Sequence, residues 1–453
     1  MATLDSVFLQ NIINDPRNAG ERLIYADILD ERGDPRGEFI RVQLALEAQW
    51  GNAAPRISRE KRAVLENRQQ ELLELYREVW ANNIPELLWH GHYGSSCAYF
   101  AGGFLDNFNI IDESRAAVLF SNMREICLNN PITGMRFYPS NDYEFSLLTI
   151  NNDHLRQIAE MAPNLRSLEL HGNQEIGPLT VDDDGINAYV SQLLSLEHLG
   201  IFHTEITSAG LAAIGKMPCL RSLSFLDNGR FGAAGYAAIS AKGSLESLDI
   251  RGNTQFLSHI GNMASLRNLE LFGHHITDSE LDSISPMNLK SLLFTSMRQV
   301  SDAGFSHLGR IAGLEHLHIW NWAENDRGIR QAACENIGKL ERLKTLNIRA
   351  LDAAGINCFG NLKKLEALEL TYDPPMEEKE KMREIATRFI LEGNWPKIVD
   401  CGYSNFMNES SYILTGDEIA ALHAERESRE FRGGTSAFIN RVDNTFKSSP
   451  GRF

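Results

Sequence analysis

Apolar residues recur through the middle of the chain in one six-residue frame, apolar-x-x-apolar-x-apolar. It reads LRSLEL from Leu165, LEHLGI from Leu196, LRSLSF from Leu220, LESLDI from Leu245 and LRNLEL from Leu266. It continues as LKSLLF from Leu289, LEHLHI from Leu314, LKTLNI from Leu343 and LEALEL from Leu365, with successive starts 21 to 31 residues apart. Alternation at the fourth and sixth places is the pattern of a strand with one buried face, and a period of this length is that of a solenoid. Between frames, ITSAGLAAI (Ile206 to Ile214), ITDSELDSI (Ile276 to Ile284) and VSDAGFSHL (Val300 to Leu308) place a hydroxyl or Asp ahead of apolar residues at helical spacing. This predicts a short capped helix after each strand. Two weaker frames, LDNFNI from Leu105 and ITGMRF from Ile132, carry the array back toward residue 100.

The flanks read as helices. Leu23, Ile24, Ala26, Ile28 and Leu29 are expected to form the apolar side of one, ended by Gly33. Asp34 and Pro35 open the next, which carries Phe39, Ile40, Val42, Leu44 and Leu46. From Arg56 to about Trp80, Leu65, Leu72, Leu73 and Leu75 predict an amphipathic helix that caps the array, since an open solenoid must cover its end coils. Beyond the last frame, Pro374 and Pro375 introduce a helix with Glu377 and Glu378 in its first turn. Ile385 and Phe389 are expected to face the last repeat, and Gly393 ends the helix. Thr415 with Glu418 three residues on has the spacing of a capping box for a further helix.

The frames resemble leucine-rich repeats, whose pattern L-x-x-L-x-L-x-x-N is completed at Asn173, Asn228 and Asn253. Thr204, His274, Met297, Trp322, Leu351 and Asp373 stand at that ninth place in the other units, so the asparagine ladder is incomplete. The helix-bearing connections resemble the ribonuclease-inhibitor-like subgroup. At the front, RLIYADILDERGDPRGEFIRVQ resembles the repeat-companion domain of bacterial repeat proteins, which implies an accessory role and supplies no catalytic residues. The resemblance implies an α/β fold: a curved right-handed leucine-rich-repeat solenoid with parallel strands on the concave face and helices outside. The domain plan is then a helical module at 1–50, a connecting helix and N-terminal cap at 51–100, the solenoid at 101–372, a C-terminal helical cap at 373–432 and a flexible tail at 433–453.

With Lys+Arg 44 against Asp+Glu 60, the net charge of −16 disfavours a nucleic-acid partner. The six cysteines show no C-x-x-C pair, and no apolar stretch is long enough to span a membrane. The first residues meet Asp5 without a basic segment and long apolar run, so no secretory signal is expected and the cytoplasm is the expected compartment.

No nucleotide-loop, zinc-peptidase or hydrolase signature is present, so no enzymatic reaction and no cofactor are expected. His316-x-His318 would share a strand face, but Ser291, Leu293, Thr345 and Asn347 flank it and supply no strong third ligand. The pair is instead expected at a partner surface. Cys401 beside Asp400 has no basic neighbour to lower its pKa and is read as an inert thiol.

What remains is the outward side of the strands, at the third, fifth and seventh places. The seventh row includes Tyr138, His171, Phe202, Leu226, Arg251, Phe272, Trp320 and Arg349. Large rings there are not required by the repeat's own packing, and Trp, Tyr and Arg are enriched among residues that dominate binding energy. The expected function is a non-enzymatic scaffold that binds a protein partner through this concave face. The alternative is a regulatory subunit or activator of a separately encoded enzyme, docking through its C-terminal segment.

Overall fold

The computed structural model describes residues 4–47, 58–81, 84–89, 97–139, 148–172, 179–227, 229–252, 256–261, 263–272, 276–295, 299–319, 331–348, 353–370, 376–404 and 410–432. They form two compact units, Met1–Leu248 and Asp249–Phe453. Trp320, Trp322, Arg349, the three frame asparagines and the segment 433–453 lie outside the described residues.

The first unit opens with helices α1 (Leu4–Asn14), α2 (Ala19–Glu31), α3 (Arg36–Glu47) and α4 (Arg59–Trp80). Asn18 caps α2 and Ser58 caps α4. Gly33 takes the left-handed φ of 70° that ends α2, and Asp34 accepts the Arg36 N–H at the start of α3. Ile12, Tyr25, Ala26, Leu29, Ile40 and Phe104 form a shared core.

The apolar side of α2 is narrower than expected. Its buried residues are Arg22, Tyr25, Ala26 and Leu29, a strip at helical spacing, while Leu23 and Ile24 lie off that strip and are exposed. On α4 only Leu72 among the expected leucines is buried. Leu75 faces outward, and the helix packs on α3 through the stacked rings of Trp80 and Phe39, 4.6 Å apart.

After α4, β1 (Ala98–Ala101) and β2 (Phe104–Ile110) form an antiparallel hairpin absent from the sequence reading. Gly102 and Gly103 turn it at φ of 54° and 87°. The helices hold this turn: Arg22 donates to the carbonyls of Ala101 and Gly102, Gln43 Nε2 to that of Phe100, and the Gly103 N–H donates to Gln43 Oε1. Parallel strands then follow in chain order: β3 (Gly134–Phe137), β4 (Ser167–His171), β5 (His198–Phe202) and β6 (Ser222–Asp227). The register aligns frame with frame. Leu168 pairs with Leu199 and Leu199 with Leu223, and these fourth-place leucines are buried. Helices α5 (Glu113–Asn129), α6 (Asn152–Met161), α7 (Asp183–Ala188), α8 (Ser208–Gly215) and α9 (Ala233–Ser240) follow the strands, as the resemblance to leucine-rich repeats implies. Strand β7 (Ser247–Gly252) contains the division between the units.

In the second unit, β8 (Asn268–Phe272), β9 (Ser291–Phe294), β10 (His316–Ile319), β11 (Thr345–Ile348), β12 (Ala367–Leu370) and β13 (Asp400–Ser404) are parallel in chain order. Between them run α10 (Leu257–Ile260), α11 (Asp278–Ile284), α12 (Asp302–Leu308), α13 (Gln331–Ile337), α14 (Ala353–Asn357) and α15 (Met376–Leu391). Thr277 caps α11 in a reciprocal box with Glu280, and Ser301 caps α12.

The segment after the last leucine frame is not purely helical. Cys401 pairs with Leu368, so it takes the fourth place of one more frame beginning at the buried Ile398. Strand β14 (Ser410–Leu414) returns antiparallel on β13, and α16 (Gly416–Arg432) follows, with Thr415 and Glu418 exchanging the expected capping bonds at 2.8 and 3.3 Å. On α15 the buried residues are Met382, Ala386, Phe389 and Ile390, with Ile385 at their flank. Among the described residues no helix is long and apolar enough to cross a membrane.

Candidate functional site

In the first unit the seventh places of three neighbouring strands meet as a stack. The Tyr138 and His171 ring centroids lie 4.9 Å apart, edge to face, and those of His171 and Phe202 lie 4.3 Å apart, face to face. Parallel register makes this possible by setting His171 beside Phe202. The three rings differ in access. Tyr138 is 40% exposed and His171 is partly covered, whereas Phe202, expected on the open face, is only 4% exposed. Gly200 explains part of the difference: with no side chain at the fifth place, it leaves room beside the Phe202 ring. Leu226, on β6, is half-buried.

Charge borders the rings. Glu169 accepts from Arg136 at 2.6 Å and meets His171 Nε2 at 3.2 Å. Burial would raise its pKa, but the hydrogen bonds from His171 and Arg136 outweigh that and hold the carboxyl at about 2.

In the second unit the Arg251 guanidinium lies 4.9 Å from the Phe272 ring centroid, within cation–π range, and also reaches Asp249 at 3.2 Å. His316 and His318 share the outward side of β10, in register with Ser291 and Leu293 on one neighbour and Thr345 and Asn347 on the other. His316 Nδ1 lies 2.8 Å from Thr345 Oγ1. Burial pushes the His318 pKa down, which favours the neutral ring. Among the described residues no three His, Cys, Asp or Glu side chains are grouped to hold a metal ion. Cys401 is fully buried and its pKa is raised, first by burial and then by Asp400, which opposes the thiolate.

A second arrangement lies at the second place of the frame, which belongs neither to the apolar pattern nor to the outward row. The second places carry Arg166, Glu197, Arg221 and Glu246 in the first unit, and Arg267, Lys290, Glu315, Lys344 and Glu366 in the second. Several neighbours of opposite charge pair across strands. Arg166 meets Glu197 at 2.7 Å and Arg221 meets Glu246, while Glu315 takes Lys290 at 2.6 Å and Lys344 at 2.5 Å. The helical module joins the ladder through Arg17, 2.5 Å from Glu197. Beneath Arg17 lies a cleft of about 400 Å³. Its walls come from the α1–α2 connection, α2, α3, the β1–β2 hairpin and the starts of β3 to β5.

No protein-family model matches the sequence, and no curated protein matches it. Among solved structures, the chain is similar to that of an internalin (inlF) from Listeria monocytogenes str. 4b F2365. The TM-score is 0.34 at 16% identity, over 65% of this chain and 78% of that chain.

Proposed function

We propose that the chain is a non-enzymatic recognition scaffold that binds a protein partner through the outward side of its strands. The observation that supports it most is the exposed Tyr138 ring set against His171, which itself stacks on the buried Phe202, with Arg136 and Glu169 at the border. In the second unit Arg251, Phe272, His316 and His318 would serve the same purpose, with Trp320 and Arg349 completing the row. Aromatic and Arg side chains supply the contact area and directed charge that interface centres use. In this reading the repeats belong to the ribonuclease-inhibitor-like subgroup, with right-handed crossovers and strands on the concave side. Helices α1 to α3 are then a repeat-companion module, and the cytoplasm is the working compartment.

The test is affinity capture from the native host, comparing the wild-type chain with Tyr138→Ala and Phe272→Ala variants whose melting temperatures match it. The reading expects the same proteins to be enriched by wild type and lost from both variants. Enrichment that survives both substitutions unchanged counts against the strand face as the binding surface.

A further inference from the structure

The ladder of second-place charges breaks at its first rung, and the break opens into a cleft. Asp106 occupies the second place of the Leu105 frame, and the same place on the next frame is Thr133, a neutral residue where a Lys or Arg would complete the pair. Thr133 Oγ1 donates to Asp106 Oδ1 at 2.7 Å and Asn107 Nδ2 donates to the other oxygen. These bonds fix the carboxylate without neutralising it. Asp106 is only 8% exposed, and among the described residues no Lys or Arg nitrogen lies within 4.0 Å of its carboxylate. A buried carboxylate is ordinarily paired, because desolvation penalises the bare charge heavily.

The cations nearby are engaged elsewhere. Arg17 and Arg166 both hold Glu197, at 2.5 and 2.7 Å. Arg22 donates to the carbonyls of Pro16, Ala101 and Gly102 and holds the hairpin against the helices. Glu47, at the rim, likewise makes no ion pair among the described residues. Formally the lining balances three arginines against three carboxylates, with His198 also at the wall. Locally, two carboxylates have no cation in contact. Burial accordingly pushes Asp106 up to about 6, with Glu47 pushing the same way and Thr133, Arg22 and Arg166 opposing.

We propose that this cleft binds a small organic cation, a compound with a primary amine or guanidinium head, which takes the vacant rung against Asp106. The volume of about 400 Å³ falls within the range of small-molecule sites. Hydroxyl groups of Thr133 and Ser167 and the Asn107 amide supply polar neighbours, and Leu44 offers an apolar wall for the ligand's chain.

Titration calorimetry of the full chain with 1,4-diaminobutane, against the uncharged 1,4-butanediol, tests this directly. The diamine is expected to bind and raise the melting temperature at about pH 7.5, and the diol to do neither. Asp106→Asn keeps the shape of the side chain and is expected to weaken diamine binding by about tenfold or more. The wild type should lose affinity at about pH 5, where Asp106 is protonated and the amines remain charged. Absence of diamine binding, equal binding of the diol, or undiminished binding by a folded Asp106→Asn variant overturns the proposal. Should that variant not fold, equal affinity of the wild type at the two pH values overturns it as well.

Discussion

Asp183, in the first turn of α7, accepts the backbone N–H of Gly210, in the first turn of α8, at 2.8 Å. The same carboxylate takes the Thr207 N–H at 2.8 Å and the Thr207 hydroxyl, so one side chain ties its own helix N-terminus to the next. Asp278 repeats the device on Ser301, with Gly304 against it. A carboxylate between two helix N-termini satisfies otherwise orphaned N–H groups and lies where the helix dipoles favour negative charge. Glycine is required because a Cβ at Gly210 would come within 2.5 Å of Asp183 Oδ1.

Gly210→Ala is therefore expected to destabilise the protein by about 1–3 kcal/mol through overpacking, against a helix-propensity gain of about 1 kcal/mol. Gly243→Ala is the control, since nothing lies within 4 Å of the added Cβ. Urea denaturation of both variants checks this; equal stability would mean that the carboxylate moves aside freely.

The strands were readable because their fourth and sixth places repeat, and the pairing of Leu346 with Leu317 and Leu368 confirms that register. Features carried by other places were harder to read. Arg22 is charged, hence nominally a surface residue, yet it is buried because its donors satisfy the carbonyls of Ala101 and Gly102 in a hairpin distant in sequence. The Gly102–Gly103 pair is itself a hairpin signal, but the short run before it, Ala98–Ala101, lies outside the repeat's frames. Cys401 concealed the last frame because a cysteine replaces the expected leucine. As for the candidate surface, sequence position placed His171 and Phe202 on one row, but only the neighbouring Gly200 reveals why Phe202 sinks out of solvent.

Glu315 between Lys290 and Lys344 makes a prediction for acid. Hydrogen bonds from the two ammonium groups hold its pKa at about 2, below the ordinary 4.5. A depressed carboxyl contributes stability that is present above the unfolded value and lost as pH falls toward the folded one. Wild type should thus lose stability between about pH 4.5 and 2 more steeply than Glu315→Gln, by a modest amount because partly exposed pairs are screened. Denaturation midpoints across that range decide it, and parallel pH profiles would remove the ladder from the stability account.

Asp106 predicts the opposite slope. Its folded pKa of about 6 exceeds the ordinary 3.8, so between those values the folded state binds more protons and stability falls as pH rises. Asp106→Asn has no such proton to lose. Compared with wild type, it should gain relative stability on going from about pH 4 to pH 6, with no further change above. A difference between the two that is constant across this interval would show that Asp106 titrates at its ordinary value.

The last prediction separates recognition from packing within a single ring stack. Phe202 is buried against its neighbours, so Phe202→Ala should cost about 3 kcal/mol of stability by loss of burial and creation of a cavity. Tyr138 makes its ring contact with His171 while remaining 40% exposed, and Tyr138→Ala should cost about 1 kcal/mol or less. At the centre of an interface the same truncation typically weakens binding by about 2 kcal/mol or more. Measuring the melting temperature and the affinity for a captured partner on both variants therefore tests two different roles. If Tyr138→Ala unfolds the chain as readily as Phe202→Ala and leaves affinity unchanged, the rings are internal packing and the partner binds elsewhere.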